Sequence, residues 1–167
     1  MKQIFVLLAS IILIICFTQK EEVIKIPEQS IRFRIIANSN SPEDQKNKMI
    51  IAKELQTTLF PTIEKANSIE DSRKRIKENM PEMEAILAKY GVDYSIDFGN
   101  NYFPIKEYKG VTYDAGTYES LVISLGKAQG DNFWCVLFPP LCLLEAQDNN
   151  TSDVEYRSLV KDIIDKM

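Results

Sequence analysis

Cysteines, carboxylates and a missing residue type decide which chemistries this chain can carry. None of its 167 residues is His, which removes Ser-His-Asp and Cys-His nucleophilic sites together with every zinc site that uses imidazole. Cys135 and Cys142 lie seven positions apart with Pro139 and Pro140 between them. The prolines must interrupt a strand, and a chain that turns back there brings the two Cα atoms within the roughly 4.4–6.8 Å a disulfide tolerates. Such a bridge closes a loop of about eight residues and adds roughly 2–3 kcal/mol in the chain-entropy account. Two buried thiols in a core strand fit the same sequence, because a Pro-Pro corner need not reverse the chain. Two sulfurs without imidazole make a poor metal site, so no metal and no cofactor are expected.

Asp97, Asp114, Glu119 and Glu145 could supply the paired carboxylates of a glycosidase-type hydrolase. Any chain with 24 acidic residues offers such pairs, and solvated surface charge is the simpler reading. No Gly-x-Ser-x-Gly elbow and no phosphate-binding glycine loop is present, so no catalytic residue and no small-molecule substrate are expected. Net charge is −4, with no strongly basic stretch, which excludes a nucleic-acid partner. Hydrophobic residues at 45% and charged residues at 26% are globular proportions, and the length suits one domain plus a short segment.

That extra segment is the N-terminus. Residues 4–17 are apolar except for Ser10, after Lys2 and before the polar Thr18-Gln19-Lys20. Fourteen helical residues rise about 21 Å against a hydrocarbon core of about 30 Å, the proportions of a signal-peptide h-region rather than a full span. Residues 1–20 are therefore expected to be a signal peptide or a short membrane anchor. Bulky Ile15 before Cys16 argues against lipidation. Residues 21–30 read as a polar tether, and residues 31–167 as a single α+β domain that is acidic and exported.

Within that domain, Ile31, Phe33 and Ile35 alternate with Arg32 and Arg34, the pattern of a half-buried strand over 31–37. Ser41, Pro42, Glu43 and Asp44 then open a helix, with Met49, Ala52, Leu55 and Leu59 as its apolar stripe before Pro61. Ser68 and Asp71 cap a second helix ending near Asn79, and a third runs from there to Gly91. Arg73, Lys74, Arg75 and Lys77 read as a solvated face. Beyond Gly91 strands are predicted near 94–98, 102–107, 118–125 and 133–138. The loop 126–132 is too short for a crossover helix, so the last two strands are expected to pair as an antiparallel hairpin. Val154, Leu159, Ile163 and Ile164 mark a closing amphipathic helix. The expected architecture is α+β, with helices on one face of a mostly antiparallel sheet.

Three blocks of sequence, "IRFRIIANSNSPEDQKNK" (31–48), "YDAGTYESL" (113–121) and "DNFWCVLFPPLC" (131–142), together resemble the stage II sporulation protein R family of endospore-forming Firmicutes. Members usually have two tryptophans where this chain has Phe133-Trp134, and Pro-Ala-Gly where it has Asp114-Ala115-Gly116. The resemblance implies a secreted signalling protein made in the forespore and exported across the forespore membrane into the intermembrane space. There it would activate the membrane-bound aspartic protease that processes the mother-cell pro-sigma-E factor. A secreted carboxylate-dependent hydrolase and a passive wall-binding module are the competing classes. Trp134, Phe138, Pro139 and Pro140 are expected to be the structural core of the third block. Protease contact is expected from two polar loops, Asn38, Ser39 and Asn40 on one and Lys127, Asp131 and Asn132 on the other.

Overall fold

The computed structural model describes residues 24–63, 65–108, 111–142 and 153–166. The expected signal or anchor segment and Glu145 lie outside them. Among the described residues twelve elements follow one another: β1 (Ile24–Lys25), β2 (Ile31–Ile36), α1 (Pro42–Thr58), α2 (Phe60–Ile63), α3 (Ile69–Glu78), α4 (Met80–Ala88), β3 (Tyr94–Phe103), β4 (Lys106–Tyr108), β5 (Val111–Tyr113), β6 (Gly116–Leu125), β7 (Asn132–Phe138) and α5 (Asp153–Ile164). The class is α+β, and three of the five strand pairings are antiparallel.

The main sheet has the order β3-β6-β2-β7, and a small second sheet the order β1-β5-β4. β6 and β7 do not form the expected hairpin. β2 lies between them, parallel to β6 and antiparallel to β7. Burial explains the insertion: Ile31, Phe33 and Ile35 are fully buried on one face, and Arg32 is 2% exposed on the other. A strand covered on both faces takes a central position, which loop length alone does not reveal.

Helix boundaries follow local capping chemistry. Ser41 Oγ accepts from the Asp44 N–H and Ser68 Oγ from the Asp71 N–H, each at 3.1 Å. Helices α1–α4 cover one face of the main sheet and close a core that includes Phe33, Ile51, Leu55, Phe60, Ile76, Met83, Leu121 and Leu137. The buried side of α1 is rotated from the expected stripe. It holds Lys48, Ile51, Ala52, Leu55 and Gln56, while Met49 is 51% exposed. Lys48 donates to the Asp131 carbonyl (3.0 Å) and Gln56 to the Cys142 carbonyl (3.1 Å), so two polar residues occupy positions that hydropathy assigns to Met49.

Two further expectations are revised on the opposite side of the sheet. The presumed tether contributes β1, which pairs with β5, and Ile26, which is buried. Ile26, Val111, Val136, Leu141 and Val160 form a second small core. Helix α5 therefore packs away from the other four, through Val160, Ile163 and Ile164, with Leu159 exposed.

Candidate functional site

The two loops expected to make contact are joined to each other. Asn38 Oδ1 accepts from the Lys127 N–H (2.9 Å), and Asn38 Nδ2 donates to Asp44 (2.9 Å). Asn40 Oδ1 accepts from the Asp131 N–H (2.6 Å), and Ser39 Oγ donates to Asp44. Backbone bonds from Gln129 to Asn38 and from Gly130 to Ala37 complete the junction. Glycine is required twice here. Gly126 has φ +54, and a Cβ on it would meet Asn38 Oδ1 at 2.3 Å; a Cβ on Gly130 would meet the Ser39 carbonyl at the same distance. The donors from Ser39 and Asn38 hold the Asp44 carboxyl below the ordinary aspartate range. Most polar groups in these loops thus serve the junction. Lys127 and Asp131 are exposed at its surface, and Asn132 opens β7.

Strand β7 leads to the second region. Cys135 and Cys142 are bonded, with Cα atoms 5.4 Å apart. The chain turns at Pro139 and Pro140, where the Leu141 N–H donates to the Val136 carbonyl (3.2 Å). Pro139 is buried, and Phe138 packs partly buried against the main core. Phe133 and Trp134 point to opposite faces. Phe133 reaches the helix side and lies edge-on to Phe33, whereas Trp134 is half-buried on the other side and belongs to neither buried cluster.

On that side cations alternate with aromatic rings. Arg34 stands 5.1 Å and Lys106 5.5 Å from the Trp134 ring centre, and Phe103 meets the indole edge-on at 5.3 Å. The Arg32 guanidinium lies 3.3 Å from the centre of the Tyr118 ring and 5.5 Å from that of Phe103. Burial pushes the pKa of both arginines down, with no consequence for their charge at neutral pH. The chain that crosses this face after β3, together with β7 and Met49, encloses a cavity of about 270 Å³ lined by Arg32, Phe103, Lys106, Tyr113 and Trp134 among others.

Among the candidate acids, Asp97 and Glu119 lie on opposite faces of the sheet, and Glu145 is outside the described residues. Glu119 faces the helices, where Arg73 Nε donates to it at 2.9 Å, so this arginine of the supposedly solvated face links α3 to β6. Asp97 lies opposite Val122 on the other face and accepts from Asn101. Asp114 gives its backbone carbonyl to Arg32 Nη1 at 3.2 Å. Among the described residues no cluster of His, Cys, Asp and Glu could hold a metal, and no helix is long and apolar enough to cross a membrane.

Sequence reasoning missed Arg32, Phe103, Tyr118 and Met49 as site residues. Arg32 and Arg34 read as the polar side of a half-buried strand. The available signal was the excess of aromatic residues on the strands destined to flank them.

The described residues form an α+β domain with a clasped loop junction, an arginine–aromatic face and a disulfide that ties edge strand β7 to the turn after it. The model of the family described as "Stage II sporulation protein R (spore_II_R)" matches residues 27–148. The stage II sporulation protein R of Bacillus subtilis (strain 168) is 38% identical over 156 residues, covering 84% of this chain and 70% of the relative. The chain belongs to the stage II sporulation protein R family. No solved structure gives a significant match.

Proposed function

We propose that this chain is a secreted signal of sporulation. It is made in the forespore and exported across the forespore membrane by its N-terminal segment. In the intermembrane space it activates the membrane-bound aspartic protease that removes the pro-sequence of the mother-cell sigma-E factor. The observation that carries this reading is the family match over residues 27–148, which spans both the loop junction and the β7 segment. The separation of Glu119 and Asp97 onto opposite faces of the sheet favours a ligand over a carboxylate-dependent hydrolase.

The test is co-expression of the chain with the protease and its pro-sigma substrate in a non-sporulating host. Pro-sequence removal should require all three components. Single amide replacements of Asp97, Asp114 and Glu119 should leave processing within a few-fold, whereas loss of a catalytic acid costs about 100-fold or more. Processing that is independent of this chain would overturn the proposal.

A further inference from the structure

We propose that the outer edge of β3 pairs with β3 of a second copy of this chain, antiparallel about a two-fold axis at Phe98. This goes beyond the signalling reading and does not rest on it.

The two ends of the main sheet are built differently. At one end β7 has seven residues, stops before Pro139 and Pro140, and gives its Val136 carbonyl to the Leu141 N–H, so its edge is short and partly closed. β3 ends the sheet on the other side with ten residues, against about 5–6 for an ordinary strand. Its pairing with β6 runs from Tyr94 to Phe103 without a register shift, and it contains neither Lys nor Pro. Lys, Pro, bulges and short length are the usual devices that keep an edge from pairing, and β3 uses none of them. The Gly126 N–H donates to the Asp93 carbonyl, which fixes the alternation along the strand. Odd-numbered residues bond to β6, and Tyr94, Ile96, Phe98, Asn100 and Tyr102 turn their N–H and C=O groups outward. Those outward groups have no hydrogen-bond partner among the described residues.

The strand is complementary to itself. With Phe98 of both copies on the axis, Tyr94 of one copy lies beside Tyr102 of the other and Ile96 beside Asn100, all on the helix side of the sheet. Asp97, the only charged residue of the strand, then lies opposite Gly99 on the other side. The outward groups of the two strands make about ten hydrogen bonds in this register. Neighbouring registers are worse. A shift of two residues one way sets Asp97 against Asp97, and the same shift the other way sets Tyr94 against Pro104, which has no N–H. Tyr94 and Tyr102 are 36% and 64% exposed in the single chain, and the pairing covers each with the other. One two-fold contact uses up both edges, so the assembly closes at two copies. The two four-stranded sheets become one, with α1–α4 of both copies on one side and both arginine–aromatic faces on the other.

Sedimentation equilibrium of the full chain in a density-matched non-ionic detergent should show a dimer that dissociates on dilution. Amide hydrogen exchange over residues 94–102 should slow as the dimer forms, while that over 132–136 stays the same. Asn100→Pro removes an outward N–H that the β3–β6 ladder does not use, and should weaken association about tenfold or more in a chain that still folds. Gly99→Asp sets a carboxylate of each copy against Asp97 of the other and should weaken association about tenfold, whereas Gly99→Lys should strengthen it. A Cβ on Gly99 meets only Asp97 Oδ2, at 3.8 Å, so both changes fit the single chain. Circular dichroism checks folding, and if Asn100→Pro unfolds, the two Gly99 variants decide. A chain still monomeric at about 100 µM overturns the proposal. So does a dimer whose β3 amides exchange as fast as those of the monomer, which would place the contact elsewhere, the apolar N-terminus included. Equal association of Gly99→Asp and Gly99→Lys overturns the register centred on Phe98.

Discussion

The face of the main sheet that meets α1–α4 is filled by Ile, Leu and Phe side chains, whereas the opposite face sets Arg32 and Arg34 among Phe103, Tyr118 and Trp134. Both faces contain residues of the same strands at alternating positions, so the difference lies in what covers them. Four helices exclude water from the first. The second is only partly covered, by the crossing chain after β3, the small sheet and α5. An aliphatic face draws its stability from buried area and tolerates changes of shape. A face of stacked cations gains less per contact, about 0.5–2 kcal/mol each, and depends on orientation. The first face rests on buried area, the second on the orientation of its cations and rings.

The strongest attempt to break this contrast is Phe33→Ala. Phe33 is fully buried and lies edge-on to Phe60 with ring centres 4.9 Å apart. Its truncation should cost roughly 3–5 kcal/mol, seen as a large fall in the urea midpoint. A cost under about 1.5 kcal/mol would mean that the helix-covered face is not the principal core. Replacing Cys135 and Cys142 together with Ser should remove roughly 2–3 kcal/mol. A reductant should lower the midpoint of the natural chain by the same amount and leave the double variant unchanged; a further fall in that variant would place the stabilisation elsewhere.

Trp134→Ala sharpens the contrast. A half-buried ring outside both clusters should cost only about 1–2 kcal/mol, leaving a folded chain with impaired pro-sigma processing. A loss equal to that of Phe33→Ala would make the two faces equivalent. The smallest effect is expected at the loop junction, beyond the end of both faces. The Asp44 carboxyl titrates lower in the folded chain than in the unfolded one, because Ser39 and Asn38 donate to it. Its contribution is therefore present above the ordinary aspartate range, about pH 4, and disappears as pH falls through the lower folded value. The gap in melting temperature between the natural chain and Asp44→Ala should narrow below that pH, and a gap constant with pH would show that the carboxylate charge is not what clasps the loops.

Local chemistry was legible wherever a few neighbouring residues decide the outcome. The caps at Ser41 and Ser68, the breaks at Asn79 and Gly91, and the alternation in β2 all follow from interactions within a turn or from side-chain periodicity. Met49 and Leu159 were misread because hydropathy ranks side chains without asking which polar ones will find partners. Lys48 and Gln56 are buried because carbonyls of Asp131 and Cys142 await them from more than eighty residues away.

By itself, then, the sequence determined the α+β class, the helix ends, the candidate cysteine pair and, through three blocks of residues, the family. Only the tertiary structure decided that β2 separates β6 from β7, that residues 24–26 join the small sheet and its core, and that Arg32 sits inside an aromatic face. The reason is physical. Capping and alternation are governed by contacts a few residues apart, whereas strand order and the burial of a charge depend on which distant surfaces cover a strand on both sides, and the chain's local pattern carries no term for that coverage.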